Sequence, residues 1–157
     1  PTGLSDTAWE NTTSGAYAIY DNNAANNTTY CKLYNWYAVN TGKLAPAGWH
    51  VPTDAEWTTL ITYLGGQSVA GGAMKATTLW NSPNTGATNS SGFTGLPAGY
   101  RLASGTFNAL GNYGIFWSST EGPTLGALYR NLHYSSSNAN RYDAKERFGF
   151  SVRCVRD

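Results

Sequence analysis

The sequence predicts an α+β fold, and three observations predict it. The segment from Thr53 to Gly66 carries a start signal, an apolar stripe and a stop signal for one core helix. Past residue 111 the apolar residues recur at every second position, the period of strands. Between such stretches lie runs of Gly, Asn, Ser and Thr, which favour turns and long loops over further helices.

In chain order, Ala16–Tyr20 reads as a short aromatic strand that ends at the turn Asp21-Asn22-Asn23. Tyr30, Leu33, Tyr34 and Tyr37 recur at spacings of three and four and predict a helix that Gly42 closes. Leu44 to Pro52 is an extended approach stiffened by Pro46 and Pro52. Thr53-Asp54-Ala55-Glu56 is a capping box, and Trp57, Leu60, Ile61 and Leu64 form the stripe behind it; Gly65-Gly66 stops the helix. A weaker helical piece runs from Val69 to Ala76, interrupted by Gly71-Gly72. Residues 81–99 are loop, with Trp80 and Phe93 expected to pack it. Strands follow at Gly114–Ser119, Leu128–Tyr134 and Asn140–Tyr142, with Ser135–Asn138 as a turn. In the second of these, Leu128, Leu132 and Tyr134 face inward while Tyr129, Asn131 and His133 face outward. Phe148, Phe150, Val152 and Cys154 give a terminal strand one apolar face. At 157 residues the chain is expected to form one domain, 1–157, with a sizeable core.

Composition excludes several functions. Charged residues are only 12% and the net charge is +1, so there is no basic stripe for nucleic acid. Residues 1–100 hold three Lys against five acids, net −2, and residues 101–157 hold seven Lys and Arg against four acids, net +3. That asymmetry is too mild to name a partner. No long apolar run predicts membrane insertion. The chain opens on Pro1-Thr2-Gly3 without Met or a signal peptide, as expected of a processed or excised piece. His50 and His133 are the only histidines, and neither lies at metal-ligand spacing from a cysteine or from the other. His50 reads as structural and His133 as a surface contact. Capping accounts for Glu56. No nucleophile set, phosphate loop or carboxylate pair stands out, so catalytic residues and cofactors are expected to be none. A structural Ca²⁺ held by some of Asp54, Glu56, Glu121 and Asp143 with backbone carbonyls is the minor reading. Cys31 and Cys154 leave a bridge and two free thiols as equal alternatives.

Function is expected in the last third, 100–157, with 1–99 as its scaffold. Framework residues there, such as Gly111, Gly114, Trp117-Ser118-Ser119-Thr120-Glu121 and Gly149–Arg153, alternate with positions of no consistent chemistry. The latter are Leu102, Ala103, Ser104, Asn112, Tyr113, Ile115, Thr124, Tyr129, Asn131, His133, Asn138, Asn140, Tyr142 and Asp143. A mixture of Tyr, Ser, Asn and Gly resembles a paratope more than an active site. Replacing Trp117 or Phe150 should unfold the domain, whereas replacing Tyr129 or Asn131 should alter only binding.

Six motifs carry a family resemblance: Tyr34-Asn35-Trp36-Tyr37-Ala38, Gly48–Trp57, Gly92-Phe93, Leu96–Arg101, Trp117–Glu121 and Gly149–Asp157. Together they resemble the Fibrobacter succinogenes major paralogous domain family, in that family's order. The resemblance implies a C-type lectin-like fold of the formylglycine-generating-enzyme type, with two main helices, a twisted antiparallel sheet and long loops. It further implies a ligand- or receptor-binding display protein, whose C-terminal segment a diversity-generating retroelement mutates at adenines. Trp117, Glu121 and Gly149–Arg153 would be fixed framework, and the fourteen positions above, all of permitted types, would be contacts. The partner would be a protein or glycan on a target cell, and the location extracellular, on a virion or a bacterial surface. Two departures stand out. Relatives often carry Cys where this chain has Ala45 and Gly where it has Cys31, so a Cys31–Cys154 bridge would be a replacement. Neither the enzyme branch's catalytic cysteines nor the Ca²⁺-dependent sugar motifs of true lectins are matched. A non-diversified adhesion module is the second expectation, and a formylglycine-generating-type enzyme a remote third.

Overall fold

The computed structural model describes residues 1–124 and 126–157. The fold is α+β. A short helix α1 (Asp6–Glu10) opens it, capped by the Ser5 side chain. Strand β1 (Tyr17–Ala18) runs into a 3-10 turn, Tyr20–Asn22, where Asp21 and Asn22 take positive φ. Then come α2 (Ala25–Tyr30), β2 (Leu33–Tyr34), α3 (Trp36–Val39) and β3 (Trp49–His50). Helices α4 (Asp54–Tyr63) and α5 (Gln67–Met74) precede the long loop and the hairpin of β4 (Tyr100–Arg101) with β5 (Phe107–Asn108). The main sheet is antiparallel in the order β6 (Tyr113–Glu121), β7 (Ala127–His133), β8 (Ala139–Ala144). Strand β9 (Val155–Arg156) ends the chain against β3.

The capping box forms as the sequence predicts. Thr53 Oγ1 accepts from the Glu56 amide, and Glu56 returns to the Thr53 amide at 2.8 Å. Trp57 and Ile61 of the stripe are buried, with Leu60 and Leu64 packed beside them. They meet Met74 of α5, Trp80, and Phe116 and Leu132 from one face of the sheet. Phe93 packs edge-on against Phe116 at 5.2 Å, as expected of a loop held by its own aromatic side chain.

Three sequence expectations fail here. The helix expected from Tyr30 to Gly42 is split, because Cys31 sits at φ 61 and Leu33–Tyr34 pairs with Tyr17–Ala18 instead. Tyr34 also bridges Phe150, and Asn35 then caps α3 by accepting from the Ala38 amide. Long-range pairing overrides a helical spacing of aromatics that suit strands equally well. Conversely, Gly71 and Gly72 do not interrupt α5. Both lie inside it, where a Cβ would overlap the Asn138 carbonyl or the Gly86 carbonyl. The expected terminal strand is also broken: Gly149, Phe150 and Ser151 make single bridges to Arg101, Tyr34 and Phe116.

Buried tryptophans tie distant segments together. The indole N–H groups of Trp9, Trp36, Trp57, Trp80 and Trp117 donate to the carbonyls of Arg147, Ser118, Trp117, Gly95 and Tyr34. Each is thereby satisfied inside the core, as a buried donor requires. Lys75, fully buried, donates to the carbonyls of Thr85, His133 and Ser136 at 2.9–3.0 Å. Burial pulls its pKa down to about 8, while the three acceptors hold the ammonium charged at neutral pH. Among the described residues no helix is long and apolar enough to cross a membrane.

Candidate functional site

Strand parity builds the site. Across β6 and β7, Tyr113 lies opposite His133, Ile115 opposite Asn131 and Trp117 opposite Tyr129. Across β7 and β8, Tyr129 lies opposite Tyr142 and Asn131 opposite Asn140. Directly paired residues share a face, so seven of the fourteen sequence-predicted positions fall on one side of the sheet. The other side carries Phe116, Arg130 and Leu132 and faces the helices. There Arg130, only 4% exposed, donates to Asp54 at 2.9 Å and to Thr58 at 2.8 Å.

A concave pocket of about 550 Å³ opens on this site. Its lining includes eight predicted positions: Leu102, Ala103, Ser104, Tyr113, Ile115, Tyr129, Asn131 and Asp143. The β4–β5 turn supplies the first three. Buried Arg101 holds that turn, donating from Nε to the Gly105 carbonyl at 2.5 Å and from Nη2 to Leu4 and Asp6. Its guanidinium lies between the Trp9 and Phe107 rings, 4.5 and 4.7 Å from their centroids.

Five lining residues lie outside the predicted set: Tyr100, Ala144, Lys145, Phe148 and Phe150. Phe150 is the centre of the aromatic floor. Its ring lies 4.3 Å from Trp117, 4.9 Å from Tyr129, 5.6 Å from Phe148 and 6.2 Å from Tyr100. The every-second-residue apolar pattern of Phe148 and Phe150 is the signal that could have placed them under the site. Burial, reinforced by Tyr142 and Asp143, pushes the Tyr129 phenol up to about 12. Burial also raises Tyr100. The Oδ1 of Asn131 is buried in the lining with no hydrogen-bond partner among the described residues.

The remaining predicted positions sit around this pocket or away from it. His133 stacks on Tyr113 at 4.4 Å and meets Ser135 through Nδ1. Burial, then nearby Lys75, lowers its pKa, which favours the neutral ring. Tyr142 is 50% exposed, and Asn140 Oδ1 accepts from Gln67. Thr124 donates through its amide and hydroxyl to Asp143. Asn112 accepts from Asn81 on a neighbouring turn. Asn138 lies in the β7–β8 turn, its carbonyl against Gly71. Two expectations need correction. Ile115 is 5% exposed and belongs to the core beneath the face as much as to the face. Tyr129 is half-buried on Trp117 and Phe150, so it also supports the fold.

Other sequence-predicted chemistry disperses. Cys31 and Cys154 are both free thiols, so the bridge does not form. Asp54 is held by Arg130 and Arg141, and Glu56 by Thr53 and His50. Among the described residues no group of three His, Cys, Asp or Glu side chains is arranged to hold a metal ion. His50 is structural: Nδ1 meets Asp157 at 2.6 Å and Nε2 meets Glu56 at 2.8 Å. Asp157 first, then Glu56, raises its pKa.

No curated protein and no solved structure matches the chain. A sequence model of the Fibrobacter succinogenes major domain, by contrast, matches residues 2–156, nearly the whole chain including every part of the pocket. This chain belongs to the Fibrobacter succinogenes major domain family.

Proposed function

We propose that this is a ligand-binding display domain of C-type lectin-like fold. Residues 1–99 act as scaffold, and positions within 100–157 are interchangeable contacts diversified by a retroelement. One observation carries the reading: eleven of the fourteen positions singled out for their inconsistent chemistry converge on one sheet face and its adjoining pocket, while Trp117 and Phe150 of the constant-looking set lie beneath. Trp117 and Phe150 form the floor, and Tyr113, Tyr129, Asn131, His133, Asn140 and Tyr142 stand above it. Tyrosine brings large contact area at small entropic cost, and Asn adapts its hydrogen bonds. The natural setting for such a domain is a virion or bacterial surface, with a protein or glycan on another cell as its target. Binding rather than catalysis is supported by the dispersal of the acids and by His50, whose two ring nitrogens are both engaged by carboxylates.

Two experiments test this. Sequencing the flanking DNA should find a near-copy of codons 102–150 that differs only at adenines, beside a reverse transcriptase gene. A library varied at Tyr113, Asn131, His133, Asn140 and Tyr142 should yield folded binders to arbitrary protein targets. A library that loses its fold, or gives no binders, overturns the reading. A gene without the repeat, carrying tandem copies of the domain, favours an undiversified adhesion module instead.

A further inference from the structure

Resting on the reading of this face as a binding surface, we propose that the pocket of this chain seats one neutral aromatic side chain of a protein partner, tryptophan or tyrosine. Its N–H or O–H donates to Asn131 Oδ1.

Three observations converge on that chemistry. The lining is dominated by Tyr100, Tyr113, Tyr129, Phe148 and Phe150, which suits an aromatic ring through edge and offset contacts. Within it lies a buried acceptor, Asn131 Oδ1, that no described residue satisfies. Such an atom carries a desolvation cost that a bound donor would remove. The third observation weighs against a cation. Asp143 and Lys145 are the only lining residues of opposite charge, and Asp143 already accepts from Thr124. The lining therefore offers no net charge to offset the dehydration of an ammonium or guanidinium group. A sugar would bring several hydroxyls into an aromatic lining with one free buried acceptor. An indole or phenol brings one donor on an apolar body. Exposed Tyr142 lies beside the lining residue Tyr129 on the same face, ring centroids 5.9 Å apart, so the pocket's occupant fits an anchor within a wider protein contact.

The test uses the full ¹⁵N-labelled chain and three probes: N-acetyltryptophanamide, its 1-methylindole analogue and methyl glucopyranoside. The tryptophan amide should shift the Asn131 side-chain amide and the backbone signals of Tyr113 and Tyr129. Methylating the indole nitrogen should weaken binding about ten-fold, the loss of one hydrogen bond to a buried acceptor. In Asn131→Ala the two indoles should bind alike. Equal binding of both indoles to the wild type overturns the proposal, even if the variant does not fold. So do shifts remote from the pocket, or occupancy by the glycoside with the indole excluded. If face libraries give binders while no indole enters this pocket, the inference fails and the display reading stands. If the indole binds as described but no library member gains a target, the display reading fails and the pocket chemistry stands.

Discussion

Arg130 Nη2 donates to Asp54 Oδ1 at 2.9 Å, with both side chains largely withdrawn from solvent. This pair fastens the back of β7 to the first turn of α4, while Tyr129 and Asn131 on either side of Arg130 face the pocket. Removing one partner strands a buried charge. Asp54→Ala should lower unfolding free energy by about 3–5 kcal/mol. Arg141, the other partner of Asp54, is 45% exposed, so Arg141→Ala should cost under about 1 kcal/mol. Urea titration of both variants checks the contrast.

The floor and the face should respond differently to truncation. Trp117→Ala and Phe150→Ala should each cost about 3–5 kcal/mol, since both are buried. Tyr142→Ala should fall within about 0.5 kcal/mol of wild type, being half exposed. Tyr129→Ala should lie between them because its ring packs on both floor residues. Melting curves that rank Tyr142 above Trp117 would refute this layering.

Alanine normally stabilises a helix interior relative to glycine by about 1 kcal/mol. In α5 the sign should reverse. Gly71→Ala and Gly72→Ala would drive a methyl into the main chain of the β7–β8 turn or of Gly86. A net loss of about 1–3 kcal/mol is expected for each. A rise in melting temperature would show that the packing is looser than described.

His50 should make stability depend on pH. Its folded-state pKa is raised above the unfolded value by Asp157 and Glu56. Its contribution is therefore fully present below about pH 6.5 and is lost as pH rises through the raised value. Glu56 stays ionised at the acid end of that window, because the Thr53 amide lowers its pKa. The melting-temperature gap between wild type and His50→Gln should be wider at pH 5.5 than at pH 9; a constant gap would remove the charged pairing.

Alkylation without reductant should label two thiols per chain. Exposed Cys31 should react first, and Cys154 more slowly, since burial raises its pKa. An intact mass with no label would restore the bridge.

Elements specified by local chemistry were legible in advance. The Thr53–Glu56 box and the Trp57–Ile61 stripe involve atoms within a few turns of one another, and they form as read. The alternation along β7 was legible because period two directly encodes two faces. What escaped the sequence depends on remote partners. Tyr34 is drawn out of a helical register by Phe150. Arg101 and Lys75 look like surface cations until the rings and carbonyls that enclose them are assembled from distant segments. The inward half of the site depends on remote partners in the same way, as Phe150 reaches the floor through a single bridge to Tyr34, with Phe148 packed beside it. Ile115 and Tyr129 look like contacts alone in the sequence, because a residue that lines a pocket and caps a core carries no distinct local signature.

The parity of β6, β7 and β8 also limits how this surface can change. Inserting or deleting one residue in β7 just ahead of Tyr129 would swing Tyr129, Asn131 and His133 towards the helices and Arg130 and Leu132 towards the pocket. Novelty here must come by exchanging side chains at fixed chain length. A binding loop can explore new reach by growing; this surface behaves like a printed page, open to new letters but closed to new spacing.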